Sequence, residues 1–503
     1  MYFSKSKYTG LWQCPKIAWL NKYKSEEKVL DSSTLARMSA GNEVGDLAMQ
    51  LFGDYKEVTS YKIDGSLDLN KMKQLTLDYI NEGVENICEA SFEYKGLYCA
   101  CDILRKEEDG YSIYEVKSST HEDNYIYIVD ISYQKYVLEK CGIKIINTFL
   151  INVDSSYVRG DELDIQKLFK ITKVSKEVDI EISNVESLIE QAIVLLDSKE
   201  EPNIDLSINC NNPYKCSYFE YCTKHLPKPN IFDLYRLPFN KKIDNYKKGI
   251  ISYDSISNCK DIMKNPTRNR VVNHYLNDLS PYIEKDNIEE YLATLSYPLY
   301  FLDFETMQPV IPLFKGTSPY QQIVFQYSLH YIEEKGGEIK HKEFLAVSGE
   351  DPRRAVAESL VANIPADVCV LAYNKAFERG RLEELAETFE DLAIHLRAIK
   401  DNMKDLLDPF QKGMYYKKEM GNSFSIKSVL PALFPNDHSL NYKNLEGVHN
   451  GGEAMSLFPK IKDMDINEQQ IARKNLLKYC ELDTFAMVKI YLHLLEICEK
   501  TKV

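Results

Sequence analysis

The sequence predicts an α/β protein of two domains joined by a helical connector, and three observations lead there. At 503 residues the chain is too long for one hydrophobic core. Residues 1–225 mix helical and strand patterns, and ILRKEEDGYSIYEVKSS carries two β-like runs on either side of a charged Asp-Gly turn, the signature of a hairpin. From Tyr297 a mostly apolar strand, YPLYFLDFET, opens a new segment that closes on a long amphipathic helix, NLLKYCELDTFAMVKIYLHLLE. The expected divisions are therefore 1–225, 226–296 and 297–503.

Composition narrows the class. With 44% hydrophobic and 27% charged residues the chain reads as an ordinary globular protein. No apolar run approaches a membrane span, so no membrane partner is expected. The opening MYFSKSKYTGLWQC lacks the basic-then-apolar layout of a signal peptide, and the expected location is the cytoplasm. There, 12 cysteines read as metal ligands or packing rather than disulfides. A net charge of −14 argues against a protein that merely coats nucleic acid. It leaves room for an enzyme acting on one, because metal-dependent nucleases need clustered carboxylates. The connector is the most basic stretch: ten Lys and Arg between Lys228 and Arg270 face only Asp233, Asp244, Asp254 and Asp261. It reads as a solvated surface rather than a phosphate-binding patch.

Cys210, Cys216 and Cys222 stand at even spacing in NCNNPYKCSYFEYC, and Cys14 lies far upstream in WQCPKIAWLNKY. Pro15 suits a first helical turn, which puts Cys14 at a helix start. Four thiolates suit a cluster or a structural zinc, although the close CxxC pairs usual for zinc are absent. Such a centre would tie both ends of the first domain together. Cys88, Cys99, Cys101, Cys141, Cys259, Cys369 and Cys498 are assigned to packing.

Between these cysteines lies a first carboxylate set. Asp102 ends an apolar strand, and Glu115 and Lys117 leave the same face of the next. Phosphodiester hydrolysis needs a divalent ion held by carboxylates and a cation beside the attacking water. Asp102 and Glu115 suit the first task and Lys117 the second. The order Cys14, Asp102, Glu115-x-Lys117, Gln134, then three cysteines resembles the RecB-like PD-(D/E)XK nucleases with an iron–sulfur staple, the CRISPR-associated exonucleases among them. Over residues 1–225 that resemblance implies a restriction-endonuclease-like fold and a 4Fe–4S cluster on Cys14, Cys210, Cys216 and Cys222. It also implies a metal at Asp102 and Glu115, catalysis by Lys117, and Gln134 near the substrate. Those nucleases place a metal-ligating His on an early helix. The segment AGNEVGDLAMQLF has none, and Glu43 or Asp46 stands as the substitute oxygen ligand.

A second set follows. Asp303 and Glu305 are two apart on a strand and share its face; like charges so placed repel unless a cation lies between them. Tyr479 and Asp483 are four apart on a helix and share a face. In VLAYNKAFERGRLEELA, Asn374 and Glu378 mark a strand-to-helix junction. Asp303, Glu305, Glu378 and Asp483 together can hold two metals roughly 4 Å apart, with Tyr479 orienting the water. The pattern resembles the DEDD 3′→5′ exonucleases of the RNase H-like fold, in the subtype with a tyrosine four residues before the last aspartate. Glu378 stands where that family usually has Asp, and Asp405 is a further carboxylate without an assigned role. Taken whole, YTGLWQCPKIAWL, EVKSST, YPLYFLDFET, PYQQIVFQYSLH, FSIKSVLPAL and YCELDTFAMV resemble a bacterial family known only as domain of unknown function 2779.

These resemblances imply a nuclease with two active sites that uses Mg²⁺ or Mn²⁺. DNA, single-stranded or at ends, is the favoured partner, because the iron–sulfur RecB-like relatives act on DNA. Repair, recombination and defence are the settings expected. An RNA exonuclease is the enzymatic alternative, and a catalytically decayed nucleic-acid-binding protein the non-enzymatic one.

Overall fold

Apolar residues set three strands side by side at the centre of the first sheet, seen in a computed structural model that describes residues 3–30, 32–121 and 125–499. The seven strands are β1 (Phe3–Ser4), β2 (Lys56–Glu57), β3 (Asn86–Tyr94), β4 (Leu97–Glu107), β5 (Gly110–Lys117), β6 (Ile145–Val153) and β7 (Phe169–Lys173). Their order is β2-β3-β4-β5-β6-β7, with β1 on β4. β3, β4 and β5 are antiparallel, as the alternating runs and the Asp-Gly turn predict. A Cβ at Gly110 would lie 2.5 Å from the Lys144 carbonyl oxygen, so only glycine fits that turn. After β5 the helix Tyr125–Lys140 crosses over, and β6 returns parallel to β5. A helical crossover is the usual way to join parallel neighbours. The helix is buried over most of its length, against the sheet and the helix Ser175–Asp197.

The second sheet has the order β11-β10-β9-β12-β13, where β9 is Leu299–Met307, β10 Ile323–Ile332, β11 Ile339–Leu345, β12 Cys369–Ala372 and β13 Met403–Asp405. β9, β10 and β11 are antiparallel; β12 and β13 run parallel to β9. A small ladder joins β8 (Tyr282–Ile283) to β14 (Tyr415–Tyr416). Period-two alternation sorts β9 cleanly. Tyr300, Leu302 and Phe304 pack with Val356, Leu360, Leu382 and Leu396 of three flanking helices. Phe301, Asp303 and Glu305 face the other way, toward the 34-residue helix Ile466–Glu499, whose Tyr491 meets Phe301.

The chain divides into one unit of Met1–His225 with Pro309–Gln321 and a second of Leu226–Gln308 with Gln322–Val503. Two features differ from the sequence reading. The connector 226–296 falls within the second unit, as short helices rather than as a separate linker. Several of its cations serve local structure: Lys242 donates to the Phe232 carbonyl at 2.6 Å, Arg268 to those of Tyr235 and Arg236, and Arg270 stacks 3.9 Å over Tyr282. Residues 309–321, expected in the last domain, belong to the first unit. There Val310 and Ile311 join an apolar cluster with Val116 and Tyr157, and Arg159 donates to the Pro312 carbonyl at 2.8 Å. Of the cysteines assigned to packing, Cys141 is instead exposed and Cys259 half-buried; both follow short helical ends rather than core strands. Among the described residues no helix is long and apolar enough to cross a membrane.

Candidate active sites and cysteine centre

The four cysteines separated by two hundred residues of sequence meet at one small cavity, lined by Cys14, Cys210, Cys216 and Cys222 with Ile17, Leu20, Leu206 and Tyr218. Cys14 sits in extended backbone between the helices Lys5–Gln13 and Pro15–Tyr23, with Pro15 in the first turn of the latter as predicted. Ordinary bonds brace the junction. Gln13 Nε2 donates to the carbonyls of Asn209 and Tyr214, both at 2.7 Å, and the Tyr218 hydroxyl to Asn21 at 2.7 Å. The Ser207 amide donates to Cys210 Sγ at 3.5 Å. Burial, and then neighbouring thiols, push Cys216 up to about 12 and Cys222 up to about 11. Among the described residues, the ligand groups packed within 4.8 Å of one another lie elsewhere.

In the first unit, Asp102 and Glu115 meet across β4 and β5, but a side chain from the N-terminus stands between them. Lys5 Nζ, on the first residue of a helix, lies 3.5 Å from Asp102 Oδ1 and 3.1 and 3.3 Å from the two Glu115 oxygens. Lys117 Nζ bridges Glu115 Oε1 at 2.6 Å and Asp130 Oδ2 at 2.7 Å. Burial alone would lower both ammonium groups; Asp102, Glu115 and Asp130 instead hold Lys5 well above its ordinary value, and Asp130 and Glu115 do the same for Lys117. Glu115 is held below its ordinary range because Lys117 and Lys5 outweigh burial and the Asp102 charge. The second Asp102 oxygen accepts the Val116 amide at 2.6 Å.

Gln134, expected near the substrate, is fully buried behind Glu115, to which it donates at 2.6 Å. It orients a carboxylate rather than facing open space. Glu43 and Asp46 lie on the exposed side of the helix Ser32–Ala48, and Glu43 acts electrostatically on Tyr320 of the 309–321 segment. The sequence reading missed Lys5, Asp130 and Glu89. Glu89 falls opposite Asp102, between the pairs Cys88–Ile103 and Ala90–Cys101. Its φ of +55° is a backbone state that costs a non-glycine residue on the order of 1 kcal/mol. Burial, then Asp102, pushes its carboxyl up to about 8. A lone acid amid the apolar run NICEASF was the available signal. The site opens on a cleft of about 940 Å³ lined by Lys117, Tyr127, Asp130, Tyr214 and Tyr320.

The second site is built differently. Asp303 and Glu305 leave β9 toward the long helix, where Asp483 and Tyr479 share the facing side, and Glu378 comes from the first turn of the helix Ala376–Thr388. Burial pushes Asp303 well up, and the charges of Asp483, Glu378 and Glu305 push it further. All four sequence-predicted carboxylates therefore come together. Burial, then Asp483, takes Glu305 up to about 8; burial, then Asp405, takes Glu378 up to about 8; burial takes Asp483 up to about 6. Glu378 Oε2 is buried without a hydrogen-bond partner. Asp303, Glu305 and Cys480 each offer a ligand atom within 4.8 Å of the others. Lys427 opposes this charge and donates to the Tyr479 hydroxyl at 3.2 Å, and Arg381 opposes it at Glu378. The Tyr442 hydroxyl donates to Asp483 Oδ1 at 2.6 Å. Lys427 lies in FSIKSVLPAL and Tyr442 in the single 3₁₀ turn Tyr442–Asn444, and neither was singled out from sequence. Asp405 now has a role: it accepts the amides of Asn374, Lys375 and Leu407 at 2.9, 3.1 and 3.0 Å. It thereby holds the junction, with Asn374 at φ +72°, from which Glu378 projects.

Mixed α/β architecture with clustered buried carboxylates is the class these units define. Residues 300–425 match the model of a family described as domain of unknown function DUF2779. An uncharacterized protein of Mycoplasma genitalium, MG366, is 24% identical over 403 residues, 71% of this chain and 60% of that protein. The uncharacterized protein UU173 of Ureaplasma parvum is 28% identical over 283 residues, 52% of this chain and 39% of that one. An MG366 homolog of Mycoplasma pneumoniae is 29% identical over 210 residues, 38% of this chain and 31% of its own length. The matched stretches thus span between about a third and three fifths of these relatives. No solved structure matches the chain.

Proposed function

We propose that the chain is a metal-dependent nuclease whose principal catalytic centre is the Asp303–Glu305–Glu378–Asp483 site, acting as a 3′→5′ exonuclease on DNA. One observation carries the reading: four acids from three separate elements share a buried space, and every one of them is pushed up although Lys427 and Arg381 oppose them. Such a set is costly as a purely structural feature. Two divalent cations would offset its charge and stabilise the attacking and leaving oxygens of a phosphodiester. Asp303, Glu305, Glu378 and Asp483 would hold them. Tyr479, anchored by Lys427, would orient the water, and Tyr442 fixes Asp483. The strand order β11-β10-β9-β12-β13, with only β10 antiparallel to the rest, supports an RNase H-like reading of this unit.

For the first unit, β3-β4-β5, a crossover helix and a parallel β6 support a PD-(D/E)XK core, with Cys14, Cys210, Cys216 and Cys222 holding a 4Fe–4S cluster. Here a second reading has an observation of its own. Lys5 already neutralises the gap between Asp102 and Glu115, and the early-helix segment AGNEVGDLAMQLF carries no histidine. That favours a first site that grips nucleic acid and cuts weakly. The test is an end-labelled substrate assay on single-stranded DNA, duplex DNA and RNA with Mg²⁺ or Mn²⁺, comparing the parent with Glu115→Ala and Asp303→Ala. Loss with Asp303→Ala alone assigns the activity to the second site; preference for RNA selects the RNA exonuclease.

A further inference from the structure

We propose that His330, His341 and Glu481 form a site for one divalent transition-metal ion of the zinc type, separate from the carboxylate centre and serving to pin the long helix to the sheet. The three residues each offer one ligand atom, and these atoms all lie within 4.8 Å of one another. His330 on β10 and His341 on β11 are direct antiparallel partners, so their rings leave the same face, with centroids 4.4 Å apart. Glu481 reaches them from the helix Ile466–Glu499, two residues before Asp483 and so on a different side of it.

The hydrogen bonds around the pair fix which ring nitrogens keep a free lone pair. His330 Nδ1 meets the Thr484 hydroxyl at 2.8 Å, and His341 Nε2 meets the Ser328 hydroxyl at 2.9 Å. Those hydroxyls lie 2.6 Å apart, and Thr484 donates to the Glu481 carbonyl at 3.2 Å. One assignment satisfies every group: both rings donate, Ser328 donates to Thr484, and Thr484 donates to the carbonyl. It leaves His330 Nε2 and His341 Nδ1 as acceptors. Metal-binding imidazoles are held in this way, with the second nitrogen donating to a fixed oxygen. Burial and the neighbouring His341 push His330 down to about 3, so its ring is neutral and able to ligate near neutral pH. Two ring nitrogens and a carboxylate oxygen within 4.8 Å of one another repel, and a cation relieves this. Two imidazoles and a carboxylate suit zinc, with water in the fourth position. The ion would join β10 and the edge strand β11 to the helix that carries Tyr479 and Asp483.

The test uses the full chain in excess Mg²⁺, which occupies carboxylate sites, titrated with zinc chloride. His341 is half-buried and Glu481 exposed, so His341→Ala and Glu481→Gln are the variants of choice, with circular dichroism to check folding. The parent should bind one more equivalent of zinc than His341→Ala. Glu481→Gln should bind that equivalent at least about tenfold more weakly. With Cu²⁺ as a probe, the parent should show coupling to two imidazole nitrogens that His341→Ala loses. Zinc should raise the parent's unfolding temperature more than that of either variant. Equal stoichiometry and affinity in the parent and both folded variants overturns the proposal, as does a Cu²⁺ spectrum unchanged by His341→Ala.

Discussion

At the scale of single residues, the two carboxylate sites differ in what balances their charge. The first is nearly self-contained, because Lys5 and Lys117 sit among Asp102, Glu115 and Asp130 at salt-bridge distance. The second has four acids, opposed by Lys427, which donates to Tyr479, and by Arg381, which pairs with Glu384. The need for divalent ions is therefore greatest in the second. Lys5→Met should free the gap between Asp102 and Glu115 and tighten Mn²⁺ binding there by about tenfold, since a competing cation has gone. Electron paramagnetic resonance titration in an Asp303→Ala/Glu305→Ala background reads this directly, and unchanged affinity would show that Lys5 does not occupy the ion's place. At the second site Tyr479→Phe removes one hydroxyl that Lys427 holds. The rate of 3′ trimming should fall by the equivalent of about 1–3 kcal/mol, far less than for Asp303→Ala. A Tyr479→Phe enzyme as inactive as Asp303→Ala would give the tyrosine a larger role than orienting water.

Among the elements, what was legible in the sequence was local. The Asp-Gly hairpin, the shared face of Asp303 and Glu305, and the i,i+4 pair Tyr479 and Asp483 all follow from strand and helix periods, and each lies where its period puts it. Lys5, Lys427 and Tyr442 were not legible, because each reaches its partners from a distant element whose packing no period encodes. The insertion of Pro309–Gln321 into the first unit escaped for the same reason: its apolar pair Val310–Ile311 could serve either core. Asp405 was visible as an acid but not as a brace, since its three amide partners depend on how β13 abuts the Asn374 turn. Asp405→Ala should therefore destabilise the second unit by about 1–3 kcal/mol and slow trimming by loosening Glu378, measured as a lowered unfolding temperature and rate together. Cys216→Ala should destabilise the first unit, because the long closure between Cys14 and the later cysteines loses a thiolate. Anaerobically purified parent should be brown, with iron and sulfide by analysis, and Cys216→Ala bleached. Colourless parent holding stoichiometric zinc would keep the ligands but remove the cluster.

For the whole molecule, the raised carboxyls make stability depend on pH in a definite direction. Glu305 and Glu378 stand at about 8 and Asp483 at about 6 in the folded chain, against about 4 when unfolded. Between those values the folded state holds more protons than the unfolded one. Stability from these groups is thus fully present below about pH 4 and is lost as pH rises through 6 to 8. Glu115, which is lowered, works oppositely but only in the acid range. EDTA-treated protein should show a falling unfolding temperature from pH 5.5 to 8.5. Mn²⁺ should flatten that slope, and Glu305→Gln should reduce it; a slope that Mn²⁺ leaves unchanged would mean that these acids do not bind it. The most direct test of the central claim is 3′→5′ trimming of 5′-labelled single-stranded DNA by purified full-length chain in Mn²⁺, with Asp303→Ala beside it. The account predicts a metal-dependent ladder of shortened products from the parent and from Glu115→Ala, and none from folded Asp303→Ala. Trimming by Asp303→Ala at the parent's rate, or a folded, Mn²⁺-loaded parent that cuts neither DNA nor RNA, would contradict it.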